Sequence, residues 1–599
     1  MDQHTANILS RAARVLLVTA SLLGFCATRV EAREVADVVV LHGKVYTVDA
    51  HRPWAQAIAV RAGKIVAVGT DREIARWHGP KTRVLDAGGH LVLPGFTDSH
   101  IHFLEGAISM QRAQLADTTS IAEIQRVLRE YAAAHPATDA ASAWIMGRGW
   151  SYPEFPGNMP HKKYLDELFP DRPVVLEGFD GHTYWANSVA LRLAGITRAT
   201  PDPVNGKIVR DENGEPTGAL QESAADAVIK IRPQPSRAGK LRALQAALAE
   251  ANRVGLTRVI SCGNDTVGAS DHTQIDLFDE LRKAGQLSVR FYISTYAGPD
   301  ASLRAIVEEA SALRTRFPAE DPWLAVGAVK FFLDGVIEGH TAAMLAPYAD
   351  LPGESGALRW DEQKYKQAVR TLDAQGFQVF THAIGDRAVR LALDTYGEAQ
   401  KANATRDPHH RIEHIETVAA SDIPRFGALG VVASFQPLHA YPDEDTLGVW
   451  LKSAGAERGQ RAWAWHSIAA GRGVLAFGSD WPVVTMDPWR GIQNALTRQT
   501  LAGKPEAGFV PNERITLEQA IAGYTTGAAI GGRHERTEGS LTVGKVADLI
   551  VISQDLFAID PHTIYKTKVL LTMVEGRVVY DASAKTTQSA AHSANPGAH

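Results

Sequence analysis

The sequence predicts an α/β chain built around a (β/α)8 TIM barrel, and three observations carry that reading. Between about residues 94 and 535, short apolar runs alternate with helical runs such as Lys240 to Arg253, Asp361 to Gly376, Asp386 to Lys401 and Leu517 to Ile530. Eight of the apolar runs read as strands, ending near His102, Cys262, Ser294, Phe332, His382, His414, Phe435 and Asp480, which is the count such a barrel needs. Several of those strands end in side chains that bind metals or carry protons. The C-terminal ends of parallel barrel strands gather around one mouth, where such barrels keep their chemistry.

In chain order, residues 1–32 read as a leader for export. Arg11 and Arg14 precede an apolar run from Val15 to Phe25, and Val30-Glu31-Ala32 offers small residues at a cleavage site before Arg33. The run is too short for a permanent membrane span, so a periplasmic or secreted protein without a stable membrane anchor is expected. Residues 33–93 hold short strands, Asp37-Val38-Val39-Val40-Leu41, Lys44-Val45-Tyr46-Thr47-Val48 and Ala57-Ile58-Ala59-Val60, with turns at Gly43 and Ala62-Gly63. Residues 536–582 repeat this texture in Ala547 to Ile552, Val569 to Val574 and Gly576 to Tyr580. Two β-rich ends flanking an alternating body predict one small β-sandwich made from both termini. The barrel body, 94–535, is longer than the roughly 250 residues typical of the fold. Its excess falls at about 105–240, after the first strand, so an insertion should lie over the mouth as a lid. The tail, 583–599, is rich in Ser, Thr and Ala and is expected to be disordered.

Composition narrows the function. The chain has 599 residues, 45% of them hydrophobic and 22% charged, and a net charge of -5. Losing the leader makes it slightly more acidic, because Arg11, Arg14 and Arg29 leave with only Asp2 and Glu31. With no basic stripe, nucleic acid is excluded as the expected partner. Cys26 leaves with the leader and Cys262 remains, so no internal disulfide is expected. Cys262 follows a strand and could face the mouth, although a small buried residue is the commoner fate of a lone thiol.

His100-Ile101-His102 follows the apolar stretch Leu91 to Asp98. Residues i and i+2 of a strand share a face, so the two imidazoles can converge on one ion. Lys330 after Ala325-Val326-Gly327-Ala328-Val329, His382 after Gln378-Val379-Phe380-Thr381, His414 after Arg411-Ile412-Glu413 and Asp480 after Val474 to Ser479 occupy equivalent strand ends. In Gly478-Ser479-Asp480-Trp481-Pro482, glycine permits close approach and Pro482 stops the strand. A carboxylate there can orient a water, take its proton and pass it to a leaving nitrogen.

The order His-X-His, Lys, His, His, Asp resembles the amidohydrolase superfamily. Asp180 to Ser188, Gly214 to Glu222 and Val329 to Gly335 are similar to the YtcJ-like group, amidohydrolase family 3, which includes N-substituted formamide deformylases. The resemblance runs from about residue 36 to residue 580. It implies a binuclear site for two divalent ions, with zinc the expected metal. One ion would take His100, His102, Asp480 and a carbamate formed on Lys330; the other would take the carbamate, His382 and His414. It further implies hydrolysis of a non-peptide C–N bond, amide or cyclic amide, by a metal-bound hydroxide with Asp480 as proton shuttle. His182, on the insertion, is a candidate donor to the developing oxyanion. Family members often carry Ser-Arg before Thr-Ala; this chain has Gly339-His340 before Thr341-Ala342, so His340 is a candidate substrate contact in an altered wall.

Trp150, Trp185, Trp463, Trp465 and Trp481 are candidates for an aromatic pocket, with Trp150, Trp185 and Trp481 the expected substrate contacts. The expected partner is a small amide-type molecule, and a homodimer stays open. Two other readings compete. An ester, lactone, carbamate or phosphotriester hydrolase would use the same ions, and an exported metal- or ligand-binding protein would turn nothing over.

Overall fold

The computed structural model describes residues 34–584 apart from 140–141, 205, 267–272 and 404–407. The leader expected at 1–32, and all but the first residues of the tail expected from 583, lie outside the described residues.

Eight parallel strands form the central sheet. They are β1 Phe96–Ile101, β2 Leu256–Thr266, β3 Arg290–Tyr296, β4 Leu324–Phe332, β5 Gln378–Ala383, β6 Arg411–His414, β7 Val432–Phe435 and β8 Leu475–Phe477, paired in that order. Helices cover the outer face, so most strand residues are buried on both sides, and β4 is buried along all but its last residue. This explains the near-continuous apolar runs in the sequence. Inside the barrel, Ile260, Cys262, Tyr292, Ala325, Ala328 and Phe380 pack as a plug. Cys262 belongs to that plug, and burial pushes its thiol up to about 12, so it is a packing residue away from the mouth.

The barrel closes where β8 meets β1. Asp480 N donates to His100 O at 2.7 Å, just beyond the end of β8. A Cβ on Gly478 would stand 2.4 Å from His100 N and 2.7 Å from Asp98 Oδ1, so only glycine allows this approach.

After β1 and the helix Phe103–Ser109, the chain builds a separate six-stranded sheet between Ala113 and Glu222, with the helix Ile121–Ala134 against it. The barrel resumes with the helix Arg237–Arg253, which packs on the helix following β1 and on β2. Two further sheets come from the chain ends. In one, Lys64–Gly69, Ala57–Arg61, Val38–Leu41 and Arg83–Asp86 lie side by side. In the other, Leu91–Pro94 is antiparallel to Leu549–Ile552, in register Leu91 with Ile552 and Pro94 with Leu549. Val38, Val40, Ile58, Val60, Val92, Leu549, Val551 and Met573 form a core shared by the two sheets. Among the described residues, no helix is long and apolar enough to cross a membrane.

The N-terminal end of the barrel is tied to the C-terminal segment by buried ion pairs. Arg258 donates to both carboxylate oxygens of Glu538 at 2.6 Å, and Arg290 reaches Asp548 at 3.1 Å while stacking on Trp323. Burial works against the charge on Glu538, yet Arg258 holds its carboxyl down to about 2. A buried pair that loses one member strands the other charge, at a cost of about 3–5 kcal/mol. Glu538→Ala is therefore expected to lower the unfolding free energy by about that much, and Glu538→Gln by less, in denaturant titrations. An unchanged midpoint for Glu538→Ala would show that water enters and solvates Arg258.

Candidate metal centre

Six side chains from five strand ends meet at the barrel mouth. His100 and His102 come from the end of β1, Lys330 from β4, His382 from β5, His414 from β6, and Asp480 follows β8. Asp480 Oδ1 lies 3.4 Å from His100 Nε2 and 3.2 Å from His102 Nε2, and its Oδ2 lies 3.9 Å from His414 Nδ1. Lys330 Nζ is 3.3 Å from His100 Nε2. The His414 ring centroid is 4.9 Å from that of His100 and 4.6 Å from that of His382. Ligand atoms of His100, His414 and Asp480 fall within 4.8 Å of one another, close enough to share an ion.

Backbone strain sets two of these positions. Alternation along β6 turns Arg411 and Glu413 into the barrel and would turn His414 away. His414 instead has φ 74° and Ile415 φ 50°, and this left-handed kink swings the imidazole over the mouth. Asp480 has φ 57° for the same purpose. Asp98 steadies that turn by accepting from Ser479 N at 3.0 Å and Ser479 Oγ at 2.5 Å.

A supporting layer fixes the rings. Glu413 Oε2 is 2.7 Å from His100 Nδ1, and Arg411 donates to both Glu413 oxygens at 2.8 and 2.9 Å. With Nδ1 engaged, His100 offers Nε2 to the mouth. Gln436 Oε1 does the same for His414, 2.8 Å from Nδ1. Asp334 spends its carboxylate on the amides of Ala343, Ile384 and Gly385 at 2.8–3.1 Å, so it is no partner for Lys330. Lys330 is fully buried and, among the described residues, pairs with no carboxylate.

The electrostatics suit cations. Burial, reinforced by neighbouring positive groups, holds the His382 and His414 rings well below the usual imidazole range, so both are neutral. Burial and the Lys330 ammonium lower His100 to about 4. Burial opposes the charge on Asp480, but the surrounding imidazoles hold its carboxyl well below the usual carboxylate range. The neutral rings of His100, His382 and His414 beside an ionised carboxylate are a ligand set for a borderline divalent ion. His382 Nδ1 and Asp480 Oδ1 are buried without hydrogen-bond partners, as atoms reserved for a ligand would be. The residues fit a metal.

The other candidates divide. His182 sits on the insertion with Nδ1 3.0 Å from Glu222 Oε1, and Thr341, in the loop after β4, donates to the same oxygen at 3.4 Å. The insertion therefore meets the barrel mouth through this pair. Burial opposes a charge on His182, but Glu222 wins and raises it from 6.5 to about 9. His340 Nε2 lies 2.9 Å from Asp350 Oδ1 and its ring packs on Tyr348, so it ties the loop after β4 together. Trp150 and Trp185, expected at a pocket wall, are fully buried with Phe155 in the insertion's own core, because that sheet needs large apolar side chains against its helix. Trp463 stacks on Trp450, and Trp465 lies under Arg498. Trp481 lies on Gly106 and Phe103 and keeps only 9% of its surface exposed.

Several residues of the mouth went unread in the sequence. Glu413 had a signal, since a charged pair at i and i+2 inside an apolar strand demands a buried partner. Gln436 and His439, in Gln436-Pro437-Leu438-His439 after β7, had only their residue types. Glu338 and Glu416, from the loops after β4 and β6, bring two further carboxyls. Burial pushes Glu416 up to about 8, and burial with Glu416 nearby keeps Glu338 well above the usual range.

Comparison with known proteins agrees with this geometry. A family model described as "Amidohydrolase family" matches residues 83–580. "Protein LONG AFTER FAR-RED 3" of Arabidopsis thaliana is 32% identical over 91% of this chain and 92% of its own. "N-substituted formamide deformylase" of Arthrobacter pascens is 28% identical over 92% of this chain and 99% of its own. The crystal structure of a metal-dependent hydrolase from Pyrococcus horikoshii superimposes with a TM-score of 0.68 at 23% identity, over 88% of this chain and 99% of the other.

Two outcomes follow from the supporting layer. Residues that orient metal ligands typically carry about 10–100-fold in metal affinity, so Glu413→Gln should weaken metal binding by that factor in chelator competition. Unchanged affinity would show that barrel packing alone orients His100. For the His182–Glu222 pair, a histidine raised from 6.5 to about 9 lends stability that is complete below pH 6.5 and lost as pH rises through about 9. The thermal midpoint of Glu222→Gln should thus lie furthest below that of the unaltered protein under pH 6.5, with the gap narrowing toward pH 9. A gap independent of pH would mean that His182 is uncharged in the fold.

Proposed function

Because the chain belongs to the amidohydrolase family, we propose that it hydrolyses a C–N bond other than a peptide bond, in a small amide or cyclic amide, using two divalent cations, zinc first among them. The observation that carries this reading is Lys330, a fully buried lysine at a strand end among four imidazoles, with no carboxylate partner among the described residues. A lone ammonium there would be costly. The neutral amine, its ammonium proton lost to water, would add to carbon dioxide and release a second proton, giving a carbamate anion whose oxygens could serve both cations. His100, His102 and Asp480 would hold the first cation with it, and His382 and His414 the second. When bound, the cations supply a Lewis acid for the carbonyl and a water made acidic near neutral pH.

The remaining work falls to the chain's own residues. Asp480, kept ionised by the imidazoles around it, accepts the proton from the attacking water and delivers it to the departing nitrogen. Glu413 and Gln436 keep His100 and His414 in the ring orientation the site needs. His182, held by Glu222 on the lid, points a charged donor toward the substrate oxygen, and the lid limits access of bulk water. The C–N bond is favoured over an ester because an amine leaves only when protonated, and Asp480 provides that proton. Export belongs to the same reading and rests on Arg11, Arg14 and the apolar run after them.

The test is a screen of N-formyl and N-acyl amines with matched esters, using metal-loaded protein beside Lys330→Ala. Amide turnover is expected in the unaltered protein. Lys330→Ala should lose both metal and turnover, with partial recovery in short carboxylic acids. Hydrolysis of the esters alone would overturn the C–N assignment, and full metal content in Lys330→Ala would overturn the bridging lysine.

A further inference from the structure

The reaction proposed above places negative charge on the substrate carbonyl oxygen, and a lid histidine is one donor to it. The barrel holds a second imidazole that this scheme leaves unused. His439 lies in the short turn Pro437–Ala440 after β7. Its Nε2 is 3.8 Å from Asp480 Oδ2, and its ring is parallel to that of His414, 3° between planes and 5.8 Å between centroids. At 3.8 Å the contact with Asp480 is too long for a hydrogen bond. His439 Nε2 is nevertheless buried and has no hydrogen-bond partner. A buried ring nitrogen without a partner costs free energy unless something else fills the place.

The turn that carries His439 is rigid. His439 N donates to Gln436 O at 2.9 Å, Asn494 Nδ2 donates to Pro437 O at 2.7 Å, and Gln436 is the residue that orients His414. A donor held this firmly needs no reorganisation when charge develops beside it, which is the property of an oxyanion site. The ring stands beside the proposed proton-carrying carboxylate.

We propose that His439 donates Nε2–H to the substrate oxygen on which negative charge develops, making with His182 a two-donor site fixed on one side by the barrel. This rests on the hydrolase reading for its substrate, but the donor can be tested apart from it. The probe is methylphosphonate, a tetrahedral oxyanion, titrated calorimetrically into zinc-loaded unaltered protein, His439→Phe and His439→Asn. Both variants should keep the unaltered metal content and thermal midpoint. His439→Phe should bind the probe about 10–100-fold more weakly, as loss of a hydrogen bond to a charged group predicts, and His439→Asn should recover part of that loss. On any amide that is turned over, His439→Phe should lower kcat by about 10²–10³-fold with KM little changed. Equal probe affinity in His439→Phe, no probe binding by the unaltered protein, or loss of metal from either variant would each overturn the proposal. The last would make His439 a metal ligand. Probe binding that depends on His439, in a protein that hydrolyses no amide, would sink the C–N reading and leave the donor standing.

Discussion

The mouth of this barrel depends on one buried interaction, the fork of Arg411 closing on Glu413 beneath His100. Neither residue touches solvent, and each satisfies the other's charge with two hydrogen bonds. Burial resists ionising Glu413, and Arg411 and His100 together hold it ionised, well below the ordinary carboxylate range. The carboxylate in turn sets which nitrogen of His100 faces the mouth. Arg411 also donates to Ser99 O at 2.6 Å and Ser434 Oγ at 2.9 Å, so one guanidinium ties β6 to β1 and β7. Replacing any member leaves a desolvated charge or an unpaired ring nitrogen below the ligand cluster, which makes this network a matter of geometry before stability.

Charge is arranged differently at the two ends of the barrel. Beneath the strands, Arg258 and Arg290 meet Glu538 and Asp548 in buried pairs. Above them, Asp480, His382, His439 and Lys330 are conspicuously short of partners. Polar atoms that a protein buries and leaves unmatched mark where another molecule completes the structure. The same fold therefore separates anchoring from chemistry along its axis, as open barrels do.

Much of this was legible in the sequence, and the misses share a cause. Strand ends at His102, Lys330, His382, His414 and Asp480 could be read because an apolar run stopped by a polar residue is a one-dimensional signal. The kink that turns His414 over the mouth could not, because no residue type announces φ 74° outside glycine. Alternation taken literally would have chosen Glu413. Trp150 and Trp185 misled for a different reason. Size and hydrophobicity suit a tryptophan equally to a pocket wall and to a core, and the choice rests on how the sheet of the insertion faces its helix. Gln436 and His439 stayed silent because their importance lies in spatial neighbours, His414 and Asp480, that come from other strands.

The strand Leu91–Pro94 has a consequence for truncation of the chain. It runs through Gly95 directly into β1, the strand that delivers His100 and His102, and one of its pairing partners is Leu549–Ile552. That partner lies beyond the whole barrel in the chain, so the sheet supporting β1 is sealed by a distant segment. Folds rich in contacts this distant in sequence fold slowly. A chain lacking Leu549–Ile552 would carry His100 and His102 on a strand whose supporting sheet is unsealed. The ligand cluster thus depends on a segment remote from it in sequence as well as on its own strands.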